Sequence, residues 1–161
     1  MKRIVDLVRA IATTPDCRVF AAADQPVVEE GHVLPTDLKE FYEVCGGVHL
    51  FESAPFSAMI VGPERCVPAN PVIVGERGEG DISSSWYIIV DDGNSDYLTI
   101  DLAPGRLGRC YDSFFDRHGV VGSCSIIACS FTELLERLIE SRGRHWYWLR
   151  EDFVRIGDAY G

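Results

Sequence analysis

The chain has 161 residues, with 25 Asp+Glu against 15 Lys+Arg and a formal net charge of −10. That length predicts one domain, residues 1–161, that buries its own core without staples, and 47% apolar residues exclude a disordered chain. The acid excess argues against a nucleic-acid backbone or an anionic membrane as main partner, because both repel it.

Met1-Lys2-Arg3 could open a signal peptide, but Asp6 and Arg9 interrupt the apolar stretch and no small-residue cleavage site follows. Ile4, Leu7, Val8 and Ile11 instead recur at helical spacing, a first helix closed before Pro15. Residues 14–33 read as a connector. Leu34-Pro35-Thr36-Asp37 then opens a second helix with Leu38, Phe41, Tyr42 and Cys45 as its buried stripe. Gly46-Gly47 stops it, glycine being free to turn left-handed.

From residue 48 the period shortens. Val48–Phe51, Phe56–Val61, Val72–Val74, Trp86–Val90, Tyr97–Leu102, Arg109–Tyr111 and Ser125–Ala128 are strand-like runs separated by turn residues. None is long enough to span a membrane. Asp92-Gly93 marks a hairpin between the fourth and fifth of them. In its second strand Leu98, Ile100 and Leu102 alternate with Tyr97, Thr99 and Asp101, which predicts one buried face and one available face. Ser130 and Glu133 form a capping box for a last helix striped by Phe131, Leu134, Leu135, Leu138 and Ile139 and ended by Gly143. An aromatic extension, residues 143–161, is expected to fold back as a flap through Trp146, Tyr147 and Trp148. Helices, then strands, then a helix is the order of an α+β domain with a mainly antiparallel sheet.

Chemistry-bearing motifs are thin. Asp92, Asn94 and Asp96 start like a calcium loop, but its sixth position is Tyr97 rather than Gly and its twelfth is Ala103 rather than Glu, so a hairpin turn is expected. Gly75 to Asp81 fits no phosphate-binding spacing and carries three acids. Cys45 and His49 form one poor ligand pair where structural zinc needs two, so no metal or cofactor is expected. Six cysteines, at 17, 45, 66, 110, 124 and 129, read as reduced thiols in or near the core of a cytoplasmic protein, with Cys124 and Cys129 both buried. No triad context surrounds any of the four histidines, and no enzyme is expected.

Four stretches, taken in order, resemble the SUKH superfamily, the Smi/Knr-type domain. They are Leu34-Pro35-Thr36-Asp37-Leu38 to Gly46-Gly47, Trp86 to Tyr97 with Ile100-Asp101-Leu102, Gly108-Arg109-Cys110-Tyr111-Asp112, and Ile127-Ala128-Cys129-Ser130-Phe131 to Leu135. The resemblance covers roughly residues 34–140 and implies helices around a curved, mainly antiparallel sheet. With the pattern above, that makes about five to seven strands, two N-terminal helices and one C-terminal helix. It also implies a non-enzymatic binding role. Bacterial members resemble immunity proteins that bind and block a cognate toxin domain, and eukaryotic relatives resemble intracellular interaction modules.

Charge placement adds to this. Residues 24–64 hold eight acids and one base, and residues 76–116 hold nine acids and three bases, while residues 137–155 hold five bases to three acids. A basic protein partner, such as a nuclease toxin domain, would be steered to such an acidic surface. The expected interface is the polar hairpin face, Tyr97, Thr99 and Asp101, with Asp91, Asp92 and Asp96 at the turn. Glu76, Glu79 and Asp81 form a second expected edge. A housekeeping adaptor of the same fold is the alternative.

Overall fold

In the computed structural model, which describes residues 2–161, the first helix α1 (Ile4–Ala12) buries Ile4, Leu7, Val8 and Ile11 along one stripe. The second, α2 (Thr36–Val44), follows Pro35 and buries Leu38, Phe41 and Tyr42. Asp37, in its first turn, also reaches the last helix, α4 (Phe131–Ser141). One Asp37 oxygen accepts from the Thr132 N–H (2.9 Å) and the Thr132 hydroxyl (2.8 Å), so one carboxylate serves two helix starts. The glycines after α2 are needed for close approach. A Cβ at Gly46 would lie 2.2 Å from the Ala21 carbonyl oxygen, and one at Gly47 (φ +112°) 2.6 Å from that of Ile60.

The sheet has eight strands in chain order, every neighbouring pair antiparallel: β1 (Arg18–Val19), β2 (Val48–Leu50), β3 (Ala58–Ile60), β4 (Trp86–Asp91), β5 (Tyr97–Asp101), β6 (Cys110–Ser113), β7 (Ser125–Ala128) and β8 (Gly157–Asp158). β4 and β5 form the expected hairpin, with Trp86 opposite Asp101 and Ile88 opposite Thr99. Register shifts in β4 against β5 and in β6 against β7 bend the sheet. The stripes of α1, α2 and α4 join Val48, Ile60, Tyr87, Leu98, Ile100 and Ala128 in one apolar cluster.

Several expectations are corrected. Val72–Val74 is not a strand: the short helix α3 (Ala69–Ile73) occupies this stretch. Pro71 falls in its first turn, where a missing N–H costs nothing, and the Asn70 carbonyl accepts from the Val74 and Gly75 N–H groups. Val72 and Val74 stay about half exposed, with no neighbouring strand to pair. Two strands appear where none was expected, β1 inside the connector and β8 in the C-terminal extension, each only two residues long. The predicted open face of β5 is closed at Thr99 and Asp101, both 0% exposed. Residues opposite each other across an antiparallel ladder share a face. This face carries Trp86 and Tyr111, whose rings pack at 4.3 Å with a 31° tilt, and a second apolar cluster with Cys124, Ile126, Ala159 and Tyr160 covers it.

α4 begins as its capping box predicts, with one difference. The Ser130 hydroxyl accepts from the Glu133 N–H, but Glu133 reaches back to the Cys129 N–H (3.2 Å) rather than to Ser130. Cys129 is exposed there, against expectation, because it lies between the end of β7 and the helix cap; Cys45, Cys66, Cys110 and Cys124 are buried. The flap does form. Tyr147 donates to the Ile127 carbonyl (2.6 Å), Trp148 Nε1 donates to Asp112 (3.0 Å), and Trp146 stacks on Trp148.

Candidate partner-binding surface

The acids of the β4–β5 turn build the turn as well as charging it. Asp92 Oδ1 accepts from the N–H groups of Asn94 (2.7 Å) and Asp96 (3.0 Å). Asp91 accepts from the Gly93 N–H (2.8 Å) with one oxygen and pairs with Arg65 through the other. Asp96 Oδ1 accepts from the Phe115 N–H (2.9 Å), tying the turn to the segment after β6. These are the side-chain-to-backbone bonds that favour Asp in turns. All three carboxylates are half-buried, and Tyr97 beside them is likewise half-buried.

Thr99 and Asp101 are not on this surface. Thr99 bonds to Ser113 across the β5–β6 ladder (2.7 Å). Asp101 accepts from Ser85 Oγ (2.6 Å) and the Ala103 N–H (3.0 Å) on one oxygen, and from Arg106 Nε (3.0 Å) and Tyr111 OH (2.6 Å) on the other. Burial, reinforced by the bond to Asp101, pushes the Tyr111 hydroxyl pKa well above its ordinary value.

Glu76 and Glu79 are exposed on the loop after α3. Asp81 has a different task. It caps the single turn Ile82–Ser85, accepting from the Ser83 N–H (3.0 Å) and hydroxyl (2.5 Å), and takes the Tyr160 hydroxyl (2.7 Å) near the chain end. Partial burial raises its pKa, but the bonds from Ser83 and Tyr160 outweigh that and hold it below the usual carboxylate range. The Ser83 hydroxyl also accepts from Asn70, and Asn70 Oδ1 accepts from His118 Nε2 (2.6 Å). His118 is buried and its pKa falls to about 4, because burial disfavours the charged ring.

Three depressions lie along the segment from Pro63 to Ile73. A cleft of about 190 Å³ is walled by Glu29, Glu30, His32, Asn70, Arg77 and Glu79, with Arg77 paired to Glu29 and 3.7 Å from Glu79. His32 and the Glu29 N–H both bond the Tyr87 hydroxyl and so fix this wall. Two further hollows measure about 330 and 180 Å³. Ala23, Asp24, Val27 and Pro63 wall the first, Val72, Ile88 and Tyr97 wall the second, and Glu64 and Val67 line both. The structure thus brings Tyr97, Asp91 (through Arg65) and Glu79 to neighbouring depressions. Sequence reading missed Val27, Glu29, Glu30, Glu64 and Val67 because they lie in segments without periodicity. The one available signal was Val27-Val28-Glu29-Glu30, an apolar pair beside an acidic pair in a stretch too short to be a core element. Among the described residues no three His, Cys, Asp or Glu side chains are placed to hold a metal, and no helix is long and apolar enough to cross a membrane.

The chain is thus an α+β domain, with helices packed around one antiparallel eight-stranded sheet. Residues 29–137 match the model of the SMI1 / KNR4 family (SUKH-1), and the chain belongs to that family. A curated relative, Immunity protein YokJ of Bacillus subtilis (strain 168), is 57% identical over 154 residues, 96% of this chain and 93% of the relative. No solved structure matches the chain.

Proposed function

We propose that this protein is an immunity protein that acts in the cytoplasm, binding a cognate toxin domain and blocking it by surface complementarity without catalysis. The observation that carries this reading is the 57% identity to Immunity protein YokJ over nearly the whole length of both chains. The charge supports a basic partner. A nuclease toxin keeps cations where it grips phosphate, and an acidic inhibitor gains fast, steered association with it. The interface on this reading uses Asp91, Asp92, Asp96 and Tyr97 at the hairpin end and Glu76 and Glu79 on the loop. Asp81 holds that loop in place rather than touching the partner, and Thr99 and Asp101 act only through the fold.

The test is capture of the native partner followed by its expression alone and together with this protein. The expected partner stops growth alone and is harmless in the pair. A non-toxic partner would place the protein among the adaptors of the same fold. Stopped-flow association should slow several-fold between about 50 and 200 mM salt, as steering by exposed charge requires.

A further inference from the structure

Which part of the toxin the surface receives follows from the two hollows that share Glu64 and Val67, and this step rests on the immunity reading above. Their walls are mainly apolar and reach the solvent: Val27 is 89% exposed and Val72 48%. Two valines left so far in water, at neighbouring depressions, form a patch suited to a partner. Charge separates the possible occupants. Asp24 and Glu64 form no ion pair among the described residues. Arg65 is the single cation lining either hollow, and Asp91 already neutralises it. The groove therefore has apolar walls, with one unpaired carboxylate at the join and another at one wall.

We propose that this groove seats a basic projection of the toxin in which two apolar side chains flank an arginine or lysine. Each hollow takes one apolar side chain, and Glu64, common to both, meets the cation between them. A second copy of this chain fits poorly, because a two-fold contact through the groove would bring Asp24 and Glu64 against their own counterparts. A nucleic acid would be repelled by the same acids. The C-terminal segment of this chain is occupied elsewhere, with Gly157 and Asp158 paired to β7. The groove also continues into the hairpin end, since Tyr97 walls one hollow and Arg65 bridges to Asp91.

The probe is an acetylated leucine-arginine-leucine amide, titrated into the ¹⁵N-labelled protein with two controls, the glycine-arginine-glycine and leucine-glutamate-leucine analogues. The expected result is saturable shifts at the backbone amides of Glu64, Val67, Val72 and Tyr97 with the first peptide, binding at least five-fold tighter than either control. Glu64→Arg and Val72→Asp, both at exposed positions, should retain the parent's urea midpoint and lose that binding. They should also weaken toxin affinity at least ten-fold. Equal binding of the glycine-flanked peptide, shifts centred on Glu29 and Glu79, or concentration-dependent dimerisation through the groove would overturn the proposal. If both variants neutralise the toxin like the parent, the groove assignment fails and the immunity reading stands. If the native partner is not toxic, the immunity reading fails, and the peptide result alone decides whether the groove takes this chemistry.

Discussion

The two ends of the central hairpin use the same amino acid in opposite ways. At the turn, Asp91, Asp92 and Asp96 fold the chain with some of their oxygens and remain half-exposed. At the far end Asp101 is fully buried, and its two oxygens take four donors, from Ser85, Ala103, Arg106 and Tyr111. A net charge of −10 counts these acids alike, yet of the hairpin's carboxylates only those at the turn reach the solvent. Acidity at this surface is therefore smaller than the formal count, and it is set by which carboxylates the fold has already filled.

Neutral, same-shaped substitutions separate the two roles. Asp101→Asn should have the largest effect. An amide nitrogen would place a donor against converging donors and leave Arg106 without its counter-charge, at a cost of about 3–5 kcal/mol. Urea unfolding measures it, and a loss below about 1 kcal/mol would mean that the buried network is not holding the strand end.

His118 gives a second, pH-readable test on the same buried side of the sheet. Its Nε2 donates to Asn70 Oδ1, and its Nδ1 is buried with no partner, so a second proton would add a donor facing nothing. The folded pKa of about 4 lies below the ordinary 6.5, so the unfolded chain binds more protons between these values. Stability from this residue is complete above about pH 6.5 and is lost as pH falls toward 4, by about 3 kcal/mol in all. His118→Gln should flatten that part of the stability–pH curve. An unchanged slope would remove His118 as its source.

A second buried acid, Asp112, lies on the other side of β6 and depends on the C-terminal flap. It accepts from Trp148 Nε1, Arg117 and the Phe114 N–H, and burial nonetheless pushes its pKa up. Trp148→Phe keeps most of the ring and removes one donor, which should cost about 1–2 kcal/mol in thermal or urea unfolding. Because the Asp112 pKa is raised, the folded state holds its proton to higher pH than the unfolded chain does, and this residue favours folding more as pH falls through that range. The variant should strengthen that trend.

How much of this was legible in sequence depended on whether a local period or a local cap carried the signal. α1, α2, α4 and the β4–β5 hairpin were readable from stripes, a capping box and Asp92-Gly93, since each is fixed within a dozen residues. β1 and β8 were not, because a two-residue strand has no period and exists only through its neighbour. Val72–Val74 misled for a related reason: β-branched residues favour strands only where a sheet receives them. The partial exposure of Asp91, Asp92, Asp96 and Tyr97 was legible from the turn they form. Thr99 and Asp101 were misplaced because what covers them, Trp86, Tyr111 and the segment around Ala159 and Tyr160, comes from residues up to about 60 positions away. Alternation reports that a strand has two faces, and only the rest of the chain decides whether the second is covered.

The smallest effect is the one that tests the surface itself. Asp92→Asn retains an oxygen for the Asn94 and Asp96 N–H groups and removes only the charge, so stability should change by less than about 0.5 kcal/mol. Asp92→Ala removes the oxygen too and should cost about 1 kcal/mol, which separates turn-building from charge. If the turn steers a basic partner, the asparagine variant should lower the association rate about two-fold at low salt and leave dissociation unchanged. A change confined to dissociation would mean that Asp92 is contacted directly, and no change in either rate would move the steering field to Glu64 and Asp24 in the groove or to Glu76 and Glu79 on the loop.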